Sequence, residues 1–223
     1  MWMVVKGHIM KKVENYNIYY SFFSYDIIRE GDNMNNYMGK LLREYPDTYV
    51  LLDIETTGLD PKHAEITEIA AYKVIDNKVI DEFQSLIKPN NPIPAEITAI
   101  THITNDMVKD ADSVDIVLGK FKEFIGDNII MGHNVTFDIG FLTHYSYLCF
   151  GEYILNDYVD TLWIARKVLG NKTPNHKLQT LSEYYNLNIE GEHRALKDVD
   201  LTYTIYNKLK ELNNERINTV QDC

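Results

Sequence analysis

Two acids, Asp53 and Glu55, sit at the end of a continuous apolar run that begins at Tyr49. Side chains alternate across an extended strand, so a strand here points both carboxylates to one face. Two carboxylates on one buried face are costly unless a cation or protons neutralise them. A second group, Gly132-His133-Asn134-Val135-Thr136-Phe137-Asp138, follows an apolar stretch and leads into residues of helical spacing. That order puts Asp138 in a first helical turn, where the helix dipole favours an acid. A third group, His193-Arg194-Ala195-Leu196-Lys197-Asp198, holds a histidine and an acid five apart. Such a pair does not share a helix face, so His193 is expected in the preceding loop or first turn and Asp198 on the helix. Carboxylates suit hard divalent ions such as magnesium and manganese, and no Cys/His spacing suggests zinc. Taken singly, each group also has a plain structural reading. The first is then a polar strand end before a Thr-Thr-Gly turn. The second is a helix-start acid, and the third a solvent-facing histidine with a surface acid.

These groups need elements to carry them. Residues 49–54 read as a buried strand. Runs 66–75 and 79–87 read as two more, joined by a turn at Asp76-Asn77-Lys78. Pro89, Pro92 and Pro94 mark a loop, followed by a short helix over 95–102. Residues 113–125 repeat Ile116, Val117, Phe121 and Phe124 or Ile125 at helical spacing, and Gly126 ends the run. A short strand over 128–131 precedes a helix over 136–150, and a strand over 153–159 precedes one over 161–169. Helices over 177–185 and 195–212 complete the pattern. Three successive strands, then strands alternating with helices, predict an α/β layer fold with a mixed sheet.

The chain has 223 residues, 45% of them hydrophobic, enough to build a core. Residues 1–47 read as an N-terminal extension of unknown role. It carries an aromatic cluster (Tyr16, Tyr19, Tyr20, Phe22, Phe23, Tyr25) and a short helix expected over 33–44, with Met38, Leu41 and Leu42 on one face. Met34 is an alternative natural start. Residues 48–212 form the domain with the chemistry, and 213–223 a polar tail. A net charge of −11 argues against nucleic-acid binding through a broad basic surface. It leaves room for an enzyme that takes one strand end and lets divalent ions supply positive charge. No apolar stretch reaches membrane-span length, no signal peptide is readable, and the two cysteines, Cys149 and Cys223, fit a reducing compartment, so a cytoplasmic location is expected.

In this order and context, the three groups resemble the sequence motifs of the DEDDh, or DnaQ-like, 3′–5′ exonuclease family. That family includes the proofreading exonucleases of bacterial DNA polymerase III, of epsilon-subunit or PolC type. Asp160-Thr161-Leu162 and His176-Lys177-Leu178 resemble the segments the family places between its second and third motifs. Ile100-Thr101-His102-Ile103-Thr104 resembles the segment after the third strand, with His102 where a glycine often precedes the Ile-Thr. The resemblance covers about residues 49–212. It implies an RNase H-like fold, a mixed five-stranded sheet flanked by helices.

The resemblance also implies a metal-dependent phosphodiester hydrolase with two divalent ions, Mg2+ or Mn2+. Asp53 would bridge both ions, Glu55 and Asp198 would complete the ion that holds the attacking water, and Asp138 would act through waters on the second. His193 would be the general base, a role that suits a side chain changing charge between pH 5 and 8. Thr56 and Thr57 would meet the terminal nucleotide, Leu59 would wedge against the last base, and His133 and Asn134 would orient the strand end. The expected reaction removes nucleoside 5′-monophosphates from a single-stranded or frayed 3′ end of DNA, in proofreading or repair. A DNA polymerase is the expected partner, with no membrane involved. An exoribonuclease of the same chemistry is the alternative. A non-catalytic adaptor is disfavoured because all five motif positions are filled, and a small-phosphate hydrolase because the motifs match in order.

Overall fold

The computed structural model describes residues 2–5, 8–13, 16–20, 37–189 and 193–221, with side chains described for 37–189 and 193–218. The chain divides into two compact units, Met1–Asn36 and Tyr37–Cys223. In the first, β1 (Trp2–Val5), β2 (His8–Val13) and β3 (Tyr16–Tyr20) pair antiparallel in sequence order. The side chains of the expected aromatic cluster lie outside the described residues.

The second unit is built on β4 (Tyr49–Thr56), β5 (Ile66–Ile75), β6 (Lys78–Leu86), β7 (Ile130–Gly132) and β8 (Tyr158–Asp160), in the order β6-β5-β4-β7-β8. β5 is antiparallel to both β4 and β6, whereas β7 is parallel to both β4 and β8. Asp76 and Asn77, both at positive φ (50° and 59°), make the tight β5–β6 turn. This is the mixed five-stranded sheet flanked by helices that the sequence led us to expect. The helices are α1 (Ala95–Thr101), α2 (Asn105–Val108), α3 (Val114–Ile125), α4 (Thr136–Phe150), α5 (Thr161–Leu169), α6 (Leu178–Tyr184) and α7 (Ala195–Gln221).

Strand periodicity on β4 sorts the core into two layers. Val50, Leu52 and Ile54 pack with Leu118 and Phe121 of α3 and with Ile139 and Phe141 of α4. Tyr49 and Leu51 pack with Ile164 of α5 and with Val199, Tyr206 and Leu209 of α7. Each such buried side chain contributes about 1.5–3 kcal/mol, so the register of β4 is strongly fixed. A slip of one residue would exchange the two faces. Asp53 and Glu55 continue the Tyr49–Leu51 series, so the same pattern that builds the core aims both acids at the α7 side.

Three elements depart from the sequence reading. From Tyr37 to Glu44 no α-helix forms. Instead Leu42 N–H donates to the Tyr158 carbonyl (2.7 Å) and Tyr158 N–H to the Lys40 carbonyl (2.9 Å), so 40–42 covers the free edge of β8. The edge's unpaired backbone groups outweigh the weak helical pattern. The strand expected over 153–159 shortens to Tyr158–Asp160, the length that β7 can pair. The last helix does not stop at Leu212 but runs to Gln221. The apolar pattern ends where packing ends, but extending an already nucleated helix needs little further contact.

Candidate active site

The site forms where β4 outruns its neighbour. Pairing of β4 with β7 stops at Val50–Ile130 and Leu51–Met131. Val50 N–H faces that side, donating to the Ile129 carbonyl (2.8 Å). Ile54 N–H, four residues on, points the same way with no strand left to meet it. It donates instead to Asp138 Oδ1, 3.1 Å away in the first turn of α4. On the other side, the β4–β5 ladder breaks at a bulge between Glu55 and Thr56, which turns the chain away just beyond the two acids. Asp198, in the first turn of α7 and 8% exposed, completes the group. One carboxylate oxygen each from Asp53, Glu55 and Asp198 lies within 4.8 Å of the others. Asp138 stands beside this triad.

So much negative charge in a partly dry place suppresses ionisation. Burial, then the charges of Asp138, Asp198 and Glu55, hold the Asp53 carboxyl well above the usual carboxylate range. Burial, then Asp198, Glu68 and Asp138, push Glu55 up to about 9, with Arg194 pulling the other way. Burial pushes Asp138 up to about 8, against the hydrogen bond from Ile54. The residues therefore fit a divalent cation: an all-oxygen donor set, one short reach across, with a deficit of positive charge that otherwise only protons fill.

His193 precedes α7 in a left-handed turn (φ 64°) and is exposed, as the five-residue spacing required. Its ring makes no hydrogen bond or ion pair among the described residues. Its N–H lies 3.4 Å from Asp198 Oδ1. The sequence reading missed Glu68, the direct cross-strand partner of Glu55 on β5. Its buried carboxylate takes the Arg194 guanidinium in a fork, Nη2 to Oε1 at 2.9 Å and Nε to Oε2 at 3.1 Å. An acid inside a mostly apolar strand run was the available signal.

The loop after β7 is tied down from several directions. Gly132 must lack a side chain, because a Cβ there would lie 2.9 Å from the Leu52 carbonyl and 2.7 Å from Val135. His133 is turned inward. Its Nε2 is 2.8 Å from the His176 carbonyl and its Nδ1 3.0 Å from the Thr161 hydroxyl. Burial lowers its pKa, and a carbonyl can only accept, so Nε2 carries the proton. Asn134 is exposed at φ 63°, with its N–H on Asp160 Oδ1 (2.9 Å), the same oxygen that caps α5 through Leu162 N–H. Thr56 donates its hydroxyl to the Gly58 carbonyl (2.6 Å), and the Thr57 hydroxyl accepts from Glu65 N–H (2.8 Å). Leu59 stands out at 86% exposed. The structure thus gathers Asp53, Glu55, Asp138 and Asp198, sets His193, Thr56 and Thr57 at their margins, and points His133 into the protein.

Comparison with known proteins matches the same stretch. The exonuclease family profile RNase_T covers residues 50–206. The DNA polymerase III PolC-type of Listeria monocytogenes is 41% identical over 172 residues. That match takes in 75% of this chain but only 12% of the polymerase's length. Among solved structures, Exonuclease X in complex with 5′ overhanging duplex DNA superposes with a TM-score of 0.60 at 26% identity, covering 73% of this chain and 91% of its own. E. coli Exonuclease I in complex with a dT13 oligonucleotide shares the fold, with a TM-score of 0.67 at 19% identity over 78% of this chain and 43% of its own. The profile runs from the strand that carries Asp53 and Glu55 to the helix that carries Asp198, and on that match the chain belongs to the RNase_T exonuclease family, whose members depend on divalent metal.

Proposed function

We propose that this exonuclease removes nucleotides from the 3′ end of DNA, releasing nucleoside 5′-monophosphates, in a proofreading or repair role. The observation that carries the reading is the convergence of Asp53, Glu55 and Asp198 within 4.8 Å, with Asp138 locked beside them through Ile54 N–H. The similarity to PolC-type polymerases and to an exonuclease solved on duplex DNA supports DNA as substrate.

Asp53, Glu55, Asp138 and Asp198 would hold two divalent ions, magnesium or manganese. Bound there, such ions supply an activated water and charge stabilisation for the phosphate and the departing oxygen. The remaining work falls to the chain's own groups. His193 takes the proton of the attacking water on a ring nitrogen, and its exposed left-handed turn leaves the ring free to approach a strand end. Leu59 presents an apolar edge to the last base, and Thr56 and Thr57, beside the acids, meet the terminal nucleotide. His133 acts through the loop it anchors, leaving Asn134 to face the strand. Residues 48–212 form the catalytic domain in this reading, with 1–47 as an extension and 213–223 as a tail. The proposed partner is a DNA polymerase and the proposed setting cytoplasmic, a reading that the PolC likeness supports.

Product analysis tests the reading. Magnesium should convert a single-stranded DNA oligonucleotide to nucleoside 5′-monophosphates faster than RNA of the same sequence in direct competition. Nucleoside 3′-phosphates, or faster loss of the RNA, would overturn it.

A further inference from the structure

We infer that the Glu68–Arg194 pair, with Glu68 buried and Arg194 half-buried, is a positioning device for the reaction, fixing the first turn of α7 against β5 and thereby setting where His193 and Asp198 stand relative to Asp53 and Glu55. The inference rests on the catalytic reading above.

Glu68 is fully buried, yet its carboxylate is well supplied with donors. Each of its oxygens takes two N–H donors. Oε1 receives Arg194 Nη2 (2.9 Å) and Gln84 Nε2 (2.9 Å). Oε2 receives Arg194 Nε (3.1 Å) and the backbone N–H of Ala195 (3.2 Å), one of the donors that a helix start leaves unmet. A strand residue thus caps α7 from outside the helix. The same Arg194 supplies the carbonyl that accepts the N–H of Asp198 (3.1 Å) and of Lys197 (2.8 Å). His193 is its immediate neighbour. One residue therefore links Glu68, on the rung directly opposite Glu55, to both the acid and the histidine of the third motif.

Burying a charged pair is poor value for stability, since desolvation offsets most of the attraction. A fork of planar geometry, in contrast, fixes direction, and lysine cannot reproduce it. That combination is what positioning requires: metal-site supports of this kind matter through the ligands they orient.

The test uses the whole chain with Arg194→Lys, which keeps the charge and loses the fork, and Glu68→Gln, which keeps the shape and loses the charge. Thermal unfolding, kcat and KM on a DNA oligonucleotide, and Mn2+ binding followed by electron paramagnetic resonance are read for each. At least one variant should unfold cooperatively with KM near that of the parent, while kcat falls and the half-saturating Mn2+ concentration rises, each about ten-fold or more. If neither variant shows this, and every variant that folds keeps both kcat and Mn2+ affinity within about two-fold of the parent, the inference fails. It also fails if the kcat loss simply equals the unfolded fraction. A parent that binds Mn2+ but does not cut DNA would sink the catalytic reading instead, and the Mn2+ arm would still decide whether the pair sets the site.

Discussion

Asp138 and Ile54, 84 residues apart in sequence, are joined by a 3.1 Å hydrogen bond from the Ile54 N–H to the Asp138 carboxylate. The bond fills the place where β7 no longer reaches β4, and it holds the carboxylate on Ile54, the residue between Asp53 and Glu55. Asp138 therefore has two jobs, closing the sheet's open end and adding charge to the site. They separate by substitution. Asp138→Asn keeps an acceptor oxygen, so unfolding in denaturant at about pH 4, where the folded acid already holds its proton, should change by under about 1 kcal/mol, while turnover near neutral pH should fall by about a hundred-fold or more. Asp138→Leu should lose both, with about 1–3 kcal/mol of stability gone because Ile54 N–H is left buried and unmet. Full activity in Asp138→Asn would show that its charge is not used.

Metal-free stability should depend on pH in a direction opposite to ordinary acid denaturation. Glu55 and Asp138 are pushed to about 9 and about 8 in the folded chain, above their ordinary values of 4.5 and 3.8. The folded state thus binds protons that the unfolded state has released. The stabilisation is complete below the ordinary values and is lost as pH rises through about 8 to 9. In EDTA, Tm should fall between pH 5 and pH 9. Magnesium should oppose the fall, and at about a hundred times its Kd it adds about 2.7 kcal/mol, or about 5–10 °C for a chain of this size. Asp53→Asn should raise the metal-free Tm at pH 8 and abolish the magnesium response. A magnesium effect equal at pH 5 and pH 9 would contradict this picture.

His193→Ala should leave the fold and the metal response intact, because the ring is exposed and makes no hydrogen bond among the described residues. Its kcat should drop by about a hundred- to ten-thousand-fold. Equal turnover with and without the imidazole would remove it as general base.

Leu59, at 86% exposed, contributes little to packing. Leu59→Ala should change stability by no more than about 0.5 kcal/mol. Its effect should fall on KM for a strand end, rising several-fold, with kcat nearly held. An unchanged KM would return Leu59 to the status of a surface turn residue.

Much of this could be read from the sequence because it follows local periodicity. The alternation along β4 fixed which face Asp53 and Glu55 share, and the five-residue spacing put His193 ahead of the helix and Asp198 on it. Long-range pairings were invisible for a physical reason: nothing local marks them. The Glu68 side chain looks like any acid in a strand until Arg194, 126 residues away, arrives beside it. The segment 37–44 carries a faint helical pattern, and only the edge of β8 shows why it lies extended. His102, in the place where a glycine was expected, adopts the left-handed cap of α1 itself, φ 59° with its N–H on the Thr98 carbonyl. The departure in residue type is not one in backbone shape. The inward turn of His133 likewise depends on the carbonyl of His176, 43 residues on.

The most direct test is a time course on a 5′-labelled single-stranded DNA oligonucleotide with magnesium or manganese, run beside Asp53→Ala and EDTA controls. A ladder shortening from the 3′ end in the parent alone is the predicted result. An intact strand in the presence of folded, metal-loaded protein, or internal cuts that persist in the Asp53→Ala control, would contradict it.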